Sequence, residues 1–137
     1  MNRKSPLSVL MLAAASWALG CAPAAAGSYV VGVAAPLSGP RRPSGEMLVR
    51  ALRLKAEKIN AAGGVRGRRI ELLVQDDEGT AEGARQAAVK LTADRRVLAV
   101  IGHYDSEPAA AAVPVYTHAH VPAFLPSIGD SDCGAAS

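Results

Sequence analysis

Tyr29-Val-Val-Gly-Val-Ala34, followed by Ala-Pro-Leu-Ser-Gly-Pro-Arg-Arg-Pro-Ser44, is the stretch on which the fold turns. The first six residues form a nearly continuous apolar run, as expected of a strand buried on both faces in a parallel sheet. Ala35 to Pro43 holds three prolines and a glycine and therefore reads as a loop. Ser44 then stands where a side-chain oxygen can cap a helix, and Leu48, Ala51, Leu52, Ala56 and Ile59 follow at helical spacing. Glu46 and Arg50 lie one turn apart in the favourable order for an exposed pair. Gly63-Gly64 supplies the stop.

Downstream the unit repeats. Arg69-Ile-Glu-Leu-Leu-Val74 predicts a second strand, and Asp76-Asp-Glu-Gly-Thr80 a solvated loop whose threonine caps a helix. That helix runs to about Leu91, with Ala84, Ala87, Ala88 and Leu91 on one side. A polar turn, Ala93 to Arg96, leads into a third strand, Val97-Leu-Ala-Val-Ile101. Gly102 to Asp105 is the next loop, and Ser106 caps a third helix running to about His118. Pro114 inside it predicts a kink or an early end, because proline lacks the donor and crowds the preceding turn. Val121-Pro-Ala-Phe-Leu125 predicts a fourth strand, and Ser127 to Ser137 reads as loop.

The pattern β-α-β-α-β-α-β predicts an α/β fold with a doubly wound parallel sheet. With the flavodoxin-like order 2-1-3-4, ligands bind at the carboxyl ends of the strands, beside the reversal between strands one and three. The flanking loops are then Pro36–Ser44 and Gly102–Ser106. Both lead into helix N-termini, whose N–H groups suit an anionic group such as a carboxylate. This places Ser44 and Ser106 at the candidate site.

The first 26 residues read as a signal peptide. Arg3 and Lys4 precede an apolar stretch from Leu7 to Leu19, too short to span a bilayer, and Ala24-Ala-Ala26 fits a cleavage site. Ala18-Leu-Gly-Cys21 also resembles a lipobox with Ala18 in place of the usual leucine, so a lipid anchor at Cys21 stays open beside simple cleavage. Export to the periplasm is expected on either reading. Residues 27–137 remain, enough for one domain, with Cys133 as their one cysteine and hence no internal disulfide. The formal net charge is +3, two of it from Arg3 and Lys4, so nucleic acid is not expected as a partner.

Val33-Ala-Ala-Pro-Leu-Ser-Gly-Pro40 and Glu57-Lys-Ile-Asn-Ala-Ala-Gly-Gly-Val-Arg-Gly-Arg68 resemble the opening of the leucine/isoleucine/valine-binding protein family. The likeness continues through Gln75-Asp-Asp77, Ala87-Ala-Val-Lys-Leu91, Val100-Ile-Gly-His103, and Pro114-Val-Tyr116 to Pro122. It implies a substrate-binding subunit of an ABC importer, not an enzyme and without cofactor. Such subunits have two lobes that close on a small ligand, an amino acid or a related amide or carboxylate, and present it to a membrane permease. Residues 27–137 would be part of the first lobe. By the same resemblance Ser106 hydrogen-bonds the ligand carboxylate, the Ser127 backbone meets the head group, and Ser44 lines the pocket. A head-group threonine is replaced by Gly129, and a disulfide of some members would join positions 79 and 105, here Gly79 and Asp105. Tyr104, Asp105 and Arg41-Arg42 make the rim more polar than a leucine site needs. A single lobe is expected to fold marginally and to bind weakly.

Other readings carry less. Gly63-Gly-Val-Arg-Gly-Arg-Arg69 lacks the Lys-Ser/Thr of a phosphate loop and follows a helix instead of opening one. His118-Ala-His120, with His103, does not complete a metal site. His103 and Ser106 invite a base-and-nucleophile reading, but the Gly-x-Ser-x-Gly elbow is missing. A hydrolase using Ser106, a sensor domain on the same fold and an inactive fragment are the alternatives to an importer subunit.

Overall fold

In the computed structural model, which describes residues 27–126, β1 (Tyr29–Ala35) is the strand around which the others assemble. It pairs in parallel with β2 (Ile70–Asp76) on one side and β3 (Val97–Ile101) on the other. β3 in turn pairs with the two-residue β4 (Ala123–Phe124), giving the order β2-β1-β3-β4. The expected order is therefore the observed one. The signal segment, Cys21, Ser127, Gly129 and Cys133 lie outside the described residues.

Helix α1 (Arg42–Ala61) covers one face of the sheet, packing Val49, Leu48 and Leu52 on Val33, Ala35, Leu72 and Val74. Helices α2 (Ala81–Ala93) and α3 (Ser106–His118) cover the other. There Ala84, Ala87, Ala88, Leu91, Ala112 and Tyr116 close on Val30, Ala34 and Val100. The alanines on α2 matter because small side chains let α3 and the sheet approach closely. Among the described residues β4 is the outermost strand on that side, with Phe124 67% exposed.

Several local expectations shift. The N-cap of α1 is Arg41, not Ser44, which lies inside the first turn. Pro43 is tolerated there because a first-turn N–H has no intrahelical acceptor to lose. Starting earlier also gives Glu46 to Arg42 at 2.7 Å, in place of the expected Arg50. Val49 takes the buried position on α1, and Ala51 is exposed. At α3 the N-cap is Asp105, with Ser106 the first helical residue. Helix α3 runs through Pro114 to His118 without ending early. Pro114 and Ala110 both lie on its exposed side, so the carbonyl deprived of a donor faces water. Thr80 caps α2 as expected, accepting from Gly83 N at 3.0 Å.

The largest correction concerns Asp77. It is not solvated but fully buried, as is His103. The Asp77 carboxylate accepts from His103 Nδ1 at 2.6 Å and from the Gly79 N–H at 3.0 Å. His103 Nε2 lies 3.1 Å from the Tyr116 hydroxyl. A carboxylate at Nδ1 assigns the ring proton there, and in the neutral ring Nε2 then accepts from Tyr116. The Asp77 N–H donates to Ala35 O, so the loop after β2 is pinned across the end of β1. Burial pushes the Tyr116 phenol well above its ordinary value, and the charge of Asp77 adds to the effect.

Two glycines make this end of the sheet possible. A Cβ on Gly45 would stand 1.9 Å from Pro36 O, and one on Gly102, whose φ is +137°, 2.0 Å from Ala34 O. Helix propensity alone would favour alanine at position 45 by about 1 kcal/mol, but a backbone clash outweighs it. Gly45→Ala is expected to lower stability by about 2–3 kcal/mol in urea unfolding. Asp77→Ala should cost more, about 3–5 kcal/mol, since it strands a buried imidazole. Tyr116→Phe should cost only about 1 kcal/mol. Because the folded state keeps the Tyr116 proton that the unfolded chain releases, stability should fall as pH rises past about 10. Tyr116→Phe should flatten that decline, and equal alkaline slopes for the two proteins would contradict it.

Candidate functional site

The carboxyl ends of β1 and β3 are neighbours, yet their following helices leave toward opposite faces of the sheet. In sheets of this kind the point where the two connections part is the expected place for a ligand crevice, here between the loops of residues 36–41 and 102–105. Each loop is held from behind. Pro36 is fully buried under the start of α1. The Leu37 N–H donates to Asp76 Oδ1 at 2.8 Å, and the Glu78 N–H donates to the same oxygen at 2.8 Å. Partial burial opposes ionisation of Asp76, but donors from Leu37, Glu78 and Ser38 outweigh it and hold this carboxyl below its ordinary value. The second loop hangs on the buried His103.

Across the mouth, Arg41 Nη1 meets Asp105 Oδ1 at 3.1 Å. This pair joins the β1–α1 loop to the β3–α3 loop. It also explains why Asp105, at the N-cap of α3, makes no side-chain cap: its carboxylate is turned to the guanidinium. The stem of Arg41 runs beside Gly79, where a Cβ would lie 3.7 Å from Arg41 Cβ and Cγ. Three loops thus converge on one arginine.

Of the residues named from sequence, Ser106 is exposed at the first turn of α3 and Ser44 is half-buried in the first turn of α1. Tyr104 is exposed between His103 and Asp105. Ser127 and Gly129 lie outside the described residues. Sequence reasoning placed Arg41 and Asp105 on a polar rim without pairing them, and it missed the Asp77–His103–Tyr116 chain altogether. The signal for that chain was faint: a polar residue within two positions of the end of each of two apolar strands, and a tyrosine in the last turn of a helix.

The geometry does not offer His103 as a general base. Both ring nitrogens of His103 are taken, by Asp77 and Tyr116, which leaves neither as a base for a serine hydroxyl. Among the described residues no three His, Cys, Asp or Glu side chains gather as metal ligands, and His118 and His120 are exposed. A concavity of about 400 Å³ lined by Glu46, Val49, Arg50 and Arg53 lies along α1 and shares Leu37 with the β1–α1 loop. No helix among the described residues is long and apolar enough to cross a membrane.

A family model described as periplasmic binding protein matches residues 28–136. An amino acid binding protein of Pseudomonas aeruginosa is 33% identical over 126 residues, which cover 92% of this chain and 34% of that protein. Leu/Ile/Val-binding protein homolog 7 of Brucella abortus is 35% identical over 116 residues, covering 85% of this chain and 29% of the relative. The crystal structure of the branched-chain amino acid transporter substrate binding protein LivJ from Streptococcus pneumoniae, in complex with isoleucine, superposes with a TM-score of 0.72. It is 31% identical, and the match covers 77% of this chain and 30% of that one. The chain therefore spans about a third of the length of the relatives it matches. From the parallel sheet and its order to the run of matched residues, the chain belongs to the periplasmic binding protein family and is similar to its Leu/Ile/Val-binding members.

Proposed function

We propose that this chain forms part of the first lobe of a substrate-binding subunit of an ABC importer. The subunit captures a small carboxylate or amide ligand, such as a branched-chain amino acid, and delivers it to a membrane permease. One observation carries the reading: the β1/β3 reversal brings two pinned loops and the exposed first turn of α3, with Ser106, to the same end of the sheet. The relatives support it, since those named above are binding proteins and one holds isoleucine. The leader-like residues 1–26 support export, and with it work in the periplasm.

In this reading Ser106 and the first turn of α3 take the ligand carboxylate, while Ser44 and Tyr104 line the approach. The family resemblance adds the Ser127 backbone and the Gly129 position to the head-group contacts. No bond is made or broken; selectivity and affinity come from enclosure. One wall of a closing trap encloses a ligand on one side only, so this chain by itself should hold its ligand loosely. The hydrolase alternative loses support because His103 is committed to Asp77 and Tyr116.

An amide-resolved NMR titration of residues 27–137 with leucine and isoleucine is expected to give saturable shifts with Kd of about 1 mM or weaker. The shifts should concentrate in residues 36–41 and 102–107, and Ser106→Ala should weaken binding by about threefold to tenfold. Shifts confined to the concavity along α1, or none at all, would sink the reading.

A further inference from the structure

The parallel sheet has two unlike ends. Its strands run the same way, so the loops that enter them gather at one end and the loops that leave them at the other. The leaving loops, residues 36–41, 77–80 and 102–105, set Arg41 against Asp77, Glu78 and Asp105. The loops that enter β2 and β3, residues 62–69 and 94–96, hold Arg66, Arg68, Arg69, Arg95 and Arg96 against Asp94. Glu71, just inside β2, accepts from Ser28 Oγ at 2.9 Å and offsets one of these charges. Outside Arg3 and Lys4 the chain is close to neutral, so its positive charge is concentrated at this end, not spread over the surface.

Part of that charge serves the fold. Lys58 and Lys90, in the last turns of α1 and α2, answer the negative ends of their helices. Arg96 pairs with Asp94 at 2.7 Å. Arg68 lies 4.2 Å over the Tyr29 ring, and its Nε donates to Gly27 O at 2.8 Å. Arg66, Arg69 and Arg95 are different: they are exposed, and among the described residues they join no ion pair or side-chain hydrogen bond. Arg66 and Gly67 form the tip of a turn closed by Val65 and Arg68, which exchange backbone hydrogen bonds at 2.8 and 3.0 Å. Both tip residues have positive φ, 51° and 77°, a conformation that suits asparagine or glycine better than arginine. A cation thus stands where local backbone preference opposes it, beside the exposed apolar side chain of Val65.

This end also carries the connection to residues 1–26, since Gly27 precedes β1 and is held there by Arg68. The apolar stretch from Leu7 to Leu19 and the lipobox-like Cys21 therefore join the domain at its basic end, with Cys21 at most about 20 Å of chain from Gly27. A basic surface with an apolar tip, next to an apolar leader, complements a bilayer that bears anionic phospholipid. Its arginines meet phosphates, and Val65 meets the headgroup boundary. We propose that the amino end of the sheet, through Arg66, Arg69 and Arg95, seats this domain on an anionic phospholipid surface and turns the opposite end to the solution. With so few cations the seating is weak and reversible. It does not depend on what the crevice binds.

The test is co-sedimentation of the full chain with vesicles at about 0.1 M salt, where charges more than roughly 10 Å from the surface are screened. One set is phosphatidylcholine, and the other contains about one-third phosphatidylglycerol, enough for a strong negative potential. Residues 1–26 are the same in every variant, so their own affinity cancels. The native chain should partition more strongly onto the anionic vesicles, by an excess that shrinks as salt is raised. Combining Arg66→Gln, Arg69→Gln and Arg95→Gln should weaken partitioning onto them by about tenfold to a hundredfold and leave the neutral vesicles unchanged. Removing equal charge along α1, with Arg42→Gln, Arg50→Gln and Arg53→Gln, should weaken it by about threefold at most. Lysine at positions 66, 69 and 95 should restore native partitioning, because the contact is read as charge. Equal losses in the two glutamine variants would reduce the effect to net charge and overturn the inference. So would an undiminished excess in the amino-end variant, or a lysine variant that binds no better than the glutamine one.

Discussion

A hydrogen bond between two fully buried side chains, Asp77 and His103, organises the carboxyl end of the sheet. Asp77 follows β2 and His103 follows β3, and the sheet order puts β1 between them. The bond therefore passes over the end of β1, where the Asp77 N–H also holds Ala35 O. Burying a carboxylate is costly unless it is met by donors, and here His103 and the Gly79 N–H meet it. Tyr116 extends the chain into α3, so the helix that carries Ser106 is tied to the same centre. Two loops with no regular hydrogen bonding of their own acquire fixed positions in this way.

The crevice inherits its rigidity from that centre and its chemistry from the surface. Asp76 and Asp77, adjacent in sequence, divide the work: one holds the loop after β1 through Leu37, the other the loop after β3 through His103. Gly45 and Gly102 allow backbone to press on backbone at Pro36 and Ala34, distances that no Cβ would survive. Arg41 and Asp105 bridge the two loops at the point where the helices part.

The repeating apolar runs and helical spacings were sufficient to give the strands, the helices and the parallel order, because each depends on local periodicity and on the handedness of crossovers. Ser106 was legible for the same reason, standing at a strand-to-helix junction. Cap positions were less so. Ser44 looked like a cap, but α1 starts two residues earlier than Ser44, because Pro43 is at ease in a first turn and Gly45 lets the helix close on Pro36. Ser106 looked like a cap too, yet Asp105 holds that position and spends its carboxylate on Arg41.

Sequence alone thus determined the α/β class and the strand order, and its motif run pointed to the family. The partners of its polar residues were decided only by tertiary structure. Asp77 and His103 are 26 positions apart, and Arg41 and Asp105 are further apart still. Nothing in the spacing of either pair marks it, since the distance between them is set by how two crossover helices leave one sheet. An aspartate after a strand reads as solvated until the neighbouring strand brings a histidine over it. The side chains that fix the site and those that furnish it are therefore products of the packing.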